Sequence, residues 1–227
     1  MKLAALYSGG KDSNFALWQA SKEHTIKCLI TLKSKNPDSY MFQTPGINMT
    51  KIQSECLNIP IINQATKGEK EKELTDLKKA IKKAINEYKI EGIVTGAIKS
   101  TYQASRIQKI CNELNIWCIN PIWQINEIEF LKQLIKNKFK VIIVAIASYP
   151  LTKTFLGKEL NKELIIELEK IANKYGFNPA GEGGELETLV LDSPLFKSKI
   201  NITKFNTIMD SENSGKIEIE NWIIKKK

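Results

Sequence analysis

The sequence has no CxxC pair and no zinc-ligand spacing. Its four cysteines, Cys28, Cys56, Cys111 and Cys118, are scattered, which excludes a zinc ribbon or finger and reads as buried, inert thiols. No apolar stretch reaches membrane-spanning length; the strongest, 141–147, is far too short. The N-terminus carries Lys2 but enters a strand at once, so no secretory signal is evident and a soluble, cytoplasmic protein is expected. There is one histidine, His24, at the end of the first predicted helix, where it reads as a helix-end cation rather than a ligand. There is also one arginine, Arg106, in a chain that otherwise uses lysine, and a fixed planar fork is a reason to keep it. Internal repeats and low-complexity segments are absent.

What is present is a chain of 227 residues that is 42% hydrophobic, enough for a sizeable core. Its net charge of +9 suggests nucleic acid at first sight. The distribution argues against it. The lysines are spread along helices and mixed with glutamate, as in residues 68–73, which is the pattern of a solvated face.

Strand and helix signals alternate through the first half. Strands are predicted at 3–7, 26–32, 59–62, 93–95 and 116–119, with helices between them, the first at 13–23. The third helix carries Leu74, Leu77, Ile81, Ile85 and Tyr88 on one stripe. This alternation predicts an α/β fold: a Rossmann-like parallel sheet with helices on both faces. Ligands in such sheets sit beyond the carboxyl ends of the strands, where strand order reverses. After Pro121 the pattern changes. A helix near 128–135, a strand at 141–147 and a helix striped by Leu160, Leu164, Leu168, Ile171 and Tyr175 lead to strands at 186–191, 200–208 and 217–224. The expected organisation is one domain over 1–123 and a smaller C-terminal α+β domain over 124–227.

The most informative segment is Ser8-Gly9-Gly10-Lys11-Asp12-Ser13, between the first strand and the first helix. A Gly-Gly turn there aims backbone N–H groups at whatever lies above the helix start, and the expected guest is a phosphate chain. The ordinary P-loop is excluded, because Asp12 follows Lys11 and no upstream glycine has the required spacing. The hexapeptide resembles the SGGxDS signature of the PP-loop ATP pyrophosphatases, which cleave ATP between the α and β phosphates.

A second segment stands out at 178–188. Glu182-Gly183-Gly184-Glu185-Leu186-Glu187-Thr188 sets three carboxylates close together beside a bendable backbone, the makings of a cation site. With the N-terminal hexapeptide, this segment resembles the diphthine–ammonia ligase family, the ATP-dependent enzymes that complete diphthamide on elongation factor 2. Residues 36–42, Gly96-Ala97-Ile98 with Tyr102, Gln103 and Arg106, and Pro121-Ile122-Trp123 are similar to family segments as well. The resemblance covers nearly the whole chain. It departs at Gln43 and Gly46, where the family often has His and Asn, and at Thr154, where Trp is usual.

The resemblance implies ATP and Mg²⁺ as cofactors, with diphthine-bearing elongation factor 2 and ammonium as partners. It leaves monomer or homodimer open. The implied ATP contacts are Ser8, Gly9, Gly10, Lys11, Asp12 and Ser13, with Gly96, Ser100, Tyr102, Gln103 and Arg106 facing them. The backbone N–H groups of Gly9, Gly10 and Lys11 would hold the departing phosphates, and Asp12 would hold Mg²⁺. Tyr40, Glu182, Gly183, Gly184, Glu185, Glu187 and Thr188 would meet the substrate. Lys11, Asp12, Glu182, Glu185 and Glu187 are the catalytic candidates, the glutamates neutralising the positive charges of diphthine and ammonium and one of them taking a proton from NH₄⁺. Without a glutaminase-like segment or an N-terminal cysteine, free ammonia is the expected nitrogen source. Two other readings stand beside this one. A PP-loop enzyme that modifies tRNA would bind it with a steep salt dependence and, for thiolation, would need reactive cysteines. A non-catalytic ATP-binding module would release no pyrophosphate.

Overall fold

The computed structural model describes residues 1–34, 47–67 and 72–227. The chain divides into two compact units, Met1–Trp123 and Gln124–Lys227. In the first, β1 (Lys2–Leu6), β2 (Thr25–Ser34), β3 (Ile61–Thr66), β4 (Gly92–Val94) and β5 (Trp117–Ile119) form one sheet in the order β3-β2-β1-β4-β5. All neighbouring pairs are parallel. Helices α1 (Lys11–Ala20), α2 (Thr50–Leu57), α3 (Lys72–Tyr88) and α4 (Thr101–Glu113) make the crossovers, and a 3₁₀ turn at Ile47–Met49 leads into α2.

The predicted stripe of α3 does what its spacing requires. Leu77 and Ile81 are fully buried, and Leu74, Ile85 and Tyr88 pack at the margin of the same cluster. Together with Ile107 and Ile110 of α4 they cover Cys28, Ile30, Ile62 and Ile93 on one face of the sheet. Right-handed crossovers place α1 and α2 on the other face, because the chain runs outward through β1, β2 and β3 before returning to β4. Phe15 and Leu17 of α1 are completely buried there. The reversal falls between β1 and β4, so their carboxyl ends open onto one crevice.

The second unit holds α5 (Glu127–Lys136), β6 (Lys140–Ala147), a 3₁₀ turn at Lys153–Phe155, α6 (Lys162–Tyr175), β7 (Leu186–Asp192), β8 (Ser198–Ser211) and β9 (Ser214–Lys226). Its sheet, β7-β6-β9-β8, is antiparallel in every pair. Strand β9 pairs with β6 only over Ser214–Lys216. Further along, the 157–160 segment takes that edge, with Gly157 N–H donating to the Ile143 carbonyl at 2.9 Å and Leu160 N–H to the Val141 carbonyl at 2.8 Å. Leu160, expected on the helical stripe, therefore belongs to this edge segment. Helix α6 starts at Lys162 because the Asn161 side chain caps it, accepting from Leu164 N–H at 2.8 Å.

The cysteines are free. Burial pushes the Cys28 thiol up to about 12, which makes it inert at neutral pH. Cys118 departs from the expectation of burial. It is half-buried and hydrogen-bonded to Cys111, whose thiol is held high by that bond while Cys118 is held low.

Candidate functional site

Strand β1 ends at Leu6, and the turn Ser8-Gly9-Gly10 delivers the chain into α1. The helix starts at Lys11, two residues earlier than its periodicity suggests, so Lys11, Asp12 and Ser13 form its first turn. Gly9 has φ +84°, and a Cβ there would lie 2.4 Å from Gln53 Oε1. Both reasons demand glycine.

The loop is held from behind. Gln53, buried on α2, donates from Nε2 to the Gly9 carbonyl at 2.9 Å. Asn14 Nδ2 and Ser13 Oγ donate to the Gly10 carbonyl at 2.9 and 3.1 Å. The Tyr7 hydroxyl fixes Asn14 by donating to its Oδ1 at 2.8 Å, and burial pushes that phenol far above its ordinary pKa. Ser8 N–H donates to Ser13 Oγ at 3.3 Å, closing the turn on itself. The loop carbonyls are thus occupied by the protein interior. Gly10, the N-cap of α1, has no side chain with which to cap the helix; its own N–H makes a long bond of 3.4 Å to Ser8 Oγ within the turn.

Lys11 is 3% exposed, unusual for lysine, and its Nζ lies 3.0 and 3.1 Å from the two carboxylate oxygens of Asp12. A buried ammonium and its carboxylate partner thus sit side by side at the helix start.

The loop after β4 closes against this turn. A Cβ on Gly96 would fall 2.7 Å from the backbone carbon of Asp12 and 2.8 Å from Ser13 N. Backbone meets backbone here, with no flexible side chain to yield. Thr95 steadies the approach: its Oγ1 donates to Asn120 Oδ1 at 2.6 Å and accepts from Ala97 N–H at 3.2 Å. Gly96→Ala is expected to force the loop after β4 away from the first turn of α1, lowering stability by about 1–3 kcal/mol and weakening ligand binding at the turn at least about tenfold. Titration with ATP and thermal unfolding of the same variant check both halves of this expectation.

Ser100 caps α4, its Oγ accepting from Gln103 N–H at 3.3 Å. One turn on, the Arg106 guanidinium lies 3.4 Å from the ring centre of Tyr102 and its Nη1 donates to the Tyr102 carbonyl at 3.4 Å. Arg106 also lines a groove of about 500 Å³ between α3 and α4, with Leu74, Lys78, Lys109 and Glu113. Lys78 and Glu113 pair at 2.6 Å, which pulls the Glu113 carboxyl below its usual range. Hence Gly96 meets the first turn of α1 at Asp12 and Ser13, whereas Arg106 is stacked on Tyr102 beside the groove. Tyr40 lies outside the described residues.

The acidic segment occupies one end of the C-terminal sheet. Asn178 organises its entry, accepting from Ala180 N–H at its side chain and from Gly181 N–H at its carbonyl, each at 2.9 Å. Gly184 N–H donates to the Gly181 carbonyl at 3.1 Å, and Ala147 N–H donates to the Glu185 carbonyl at 2.9 Å, which ties the turn to the end of β6. The Glu185 carboxylate folds over Gly183, where a Cβ would lie 2.7 Å from Oε1. Glu185 Oε2 is buried with no hydrogen-bond donor. Glu187 pairs with Ala145 of β6, while Thr188 lies buried opposite Ile143. Glu182 stands half-buried in the turn, with Gly183 and Gly184 exposed. Among the described residues, no cluster of three or more His, Cys, Asp or Glu side chains forms a metal cage.

The Gly-Gly turn thus opens at the start of α1, and the acidic segment at one end of the C-terminal sheet. Residues 1–117 match the diphthamide synthase N-terminal domain, and residues 126–223 match the diphthamide synthase C-terminal domain. The chain belongs to the diphthamide synthase family. Among its curated relatives is the diphthine–ammonia ligase of Mus musculus, 34% identical, the alignment covering 94% of this chain and 87% of that one. The Homo sapiens enzyme of the same name is 33% identical over the same shares. That of Schizosaccharomyces pombe is 33% identical across 96% of this chain but only 38% of its own length. Among solved structures, a predicted subunit of tRNA methyltransferase from Methanocaldococcus jannaschii superposes with a TM-score of 0.45 at 19% identity, over 86% of this chain and 98% of that one.

In this diphthamide synthase family member the supporting residues Tyr7, Asn14, Gln53, Thr95 and Asn120 carry no sequence signal of their own. Each is a polar residue in an otherwise ordinary element, and only the tertiary pairing reveals what it holds. A weak cue existed for Gln53: it lies between Ile52 and Cys56 on a short helix, where buried amides need a partner.

Proposed function

We propose that this chain is an ATP-dependent diphthine–ammonia ligase. It would convert the carboxylate of diphthine on elongation factor 2 to an amide with ammonium, with AMP and pyrophosphate as the other products. The observation that carries the reading is the match of both family domains in a chain whose Gly-Gly turn lies at the switch point of the parallel sheet. A bare carboxylate is a poor acyl donor because oxide would have to leave; activation by ATP provides AMP as the leaving group.

The residues fit this nucleotide. The glycine N-cap of α1, the interior-bonded loop carbonyls and the Lys11 charge suit a triphosphate. Ser8, Gly9, Gly10 and Ser13 frame that turn and Gly96 packs against the first turn of α1, while Ser100, Tyr102, Gln103 and Arg106 are assigned to the nucleotide by the resemblance, with Arg106 stacked on Tyr102 beside the groove between α3 and α4. Mg²⁺ bound with substrate phosphates needs only one or two protein carboxylates, and Asp12 is the carboxylate at this turn, with Lys11 as its counter-charge until the cation arrives. In the second unit, Glu185 Oε2 is a buried acceptor awaiting a donor, which is what an ammonium supplies. Glu182 and Glu187 add negative charge, and Gly183, Gly184 and Thr188 shape the pocket around the acyl group. The C-terminal unit is thus the substrate-recognition domain and the N-terminal unit the ATP-binding domain.

The deciding experiment incubates this protein with ATP, ammonium and elongation factor 2 bearing diphthine, and follows the modified histidine by mass spectrometry. The expected result is the mass change from acid to amide with stoichiometric pyrophosphate. An unchanged histidine, or ADP as the nucleotide product, overturns the reading.

A further inference from the structure

The end of the C-terminal sheet that carries the acidic segment also carries two tyrosines outside that motif. Tyr149 lies just beyond β6, and Tyr175 is the last residue of α6. Their rings meet edge to face, 5.3 Å between centres and 85° between planes, and both are widely exposed, Tyr149 at 64% and Tyr175 at 42%. They are held in place. Asn213, in the β8–β9 turn, donates from Nδ2 to the Leu151 carbonyl at 2.7 Å, and Leu151 N–H closes a turn onto the Ser148 carbonyl at 2.9 Å. The sheet register brings the same connections together: Ile146 pairs with Leu186 and Ala147 with Ser214, so the 148–152 loop, the 176–185 segment and the 212–213 turn all leave one edge.

A cation already uses this corner. Lys174 Nζ lies 4.9 Å from the centre of the Tyr175 ring. The same ammonium is hydrogen-bonded to the Tyr175 hydroxyl, which holds Lys174 up and the Tyr175 phenol down, so a competing cation must take the place of an exposed side chain anchored at the hydroxyl end of the ring. The Tyr149 phenol is held up chiefly by its bond with Tyr175; Glu212, beside Asn213 in the β8–β9 turn, adds a small further push upward.

The proposed reaction brings two cations of different chemistry. Ammonium donates hydrogen bonds and suits a carboxylate such as Glu185. The quaternary ammonium of diphthine has no hydrogen to donate, spreads its charge over methyl groups and is weakly hydrated; aromatic faces are its match. We infer that the Tyr149–Tyr175 corner receives the quaternary ammonium group of the substrate side chain, displacing Lys174 from the Tyr175 face. This rests on the function proposed above for the identity of the substrate, but the site itself is testable without it.

The test uses the full chain labelled with ¹³C-tyrosine, titrated with tetramethylammonium chloride and, at matched ionic strength, potassium chloride. Saturable shifts of the Tyr149 and Tyr175 ring signals with tetramethylammonium, absent with potassium, are expected. Lys174→Gln removes the competitor and is expected to tighten binding about threefold, a gain that a merely structural tyrosine pair would not give. Tyr175→Leu is expected to weaken it roughly five- to tenfold. Equal responses to the two salts, shifts confined to other tyrosines, or a Lys174→Gln variant that binds no tighter would overturn the inference. Because wild type and Lys174→Gln decide the matter, a Tyr175→Leu variant that fails to fold does not obscure it. The two readings fail separately. Tetramethylammonium binding without amidation sinks the proposed function alone, and amidation without binding sinks this site alone.

Discussion

Asp12→Ala is expected to abolish pyrophosphate release, lowering it by roughly 10³-fold or more. The carboxylate stands on the first turn of α1, beside the buried Lys11 ammonium. On the function proposed above, a carboxylate there would repel the phosphates unless a cation lay between them, which is why the proposal gives Asp12 to Mg²⁺. The alanine variant also removes one charged partner of a buried lysine, which carries a stability penalty of its own. Asp12→Asn separates the effects: it keeps the size and a hydrogen-bond acceptor but not the charge. Pyrophosphate release should fall in both variants, and thermal unfolding should fall mainly in the first. Undiminished pyrophosphate release in Asp12→Asn would remove Asp12 from the chemistry.

Glu185→Ala should have the opposite signature on stability. Its Oε2 is buried without a donor, an arrangement that costs about 1–3 kcal/mol in the resting protein. Removing the carboxyl relieves that cost, so the variant should unfold at the same or a higher temperature. Amide formation should nonetheless drop by about 10²–10⁴-fold, the usual contribution of a positioned proton acceptor, while ATP binding is retained. Unfolding scans, ATP titration and the elongation factor mass measurement together test this. A Glu185→Ala protein that amidates normally, or that loses ATP binding, would remove the carboxylate from the role assigned to it.

The parallel sheet and its helices were legible because apolar spacing in α3 and the apolar runs of β1 and β2 are unambiguous, and because burial is what those residues do. The Gly-Gly turn was legible because position after a first strand narrows what two glycines can be for. Boundaries were less so. The expected α1 began at Ser13, yet Lys11 and Asp12 are helical, since Gly10 rather than a later polar residue serves as the N-cap. Leu160 fits the α6 stripe by spacing, but an edge of β6 left open by β9 claims it first. Long-range competition of this kind has no local trace. The same holds for Gln53, whose partner Gly9 is 44 residues away. Tyr149 and Tyr175 are 26 positions apart and meet only through the antiparallel register.

The missing side-chain cap on α1 has a thermodynamic corollary. Glycine at an N-cap forfeits only a few tenths of a kcal/mol relative to serine or asparagine. The protein thus gives up almost nothing by having glycine at that position, and an anion seated at the turn, as proposed, adds its own affinity to the folded state. Occupancy and melting temperature are therefore linked through mass action, so the protein will be hardest to unfold when nucleotide is plentiful and most vulnerable to proteolysis when it is scarce.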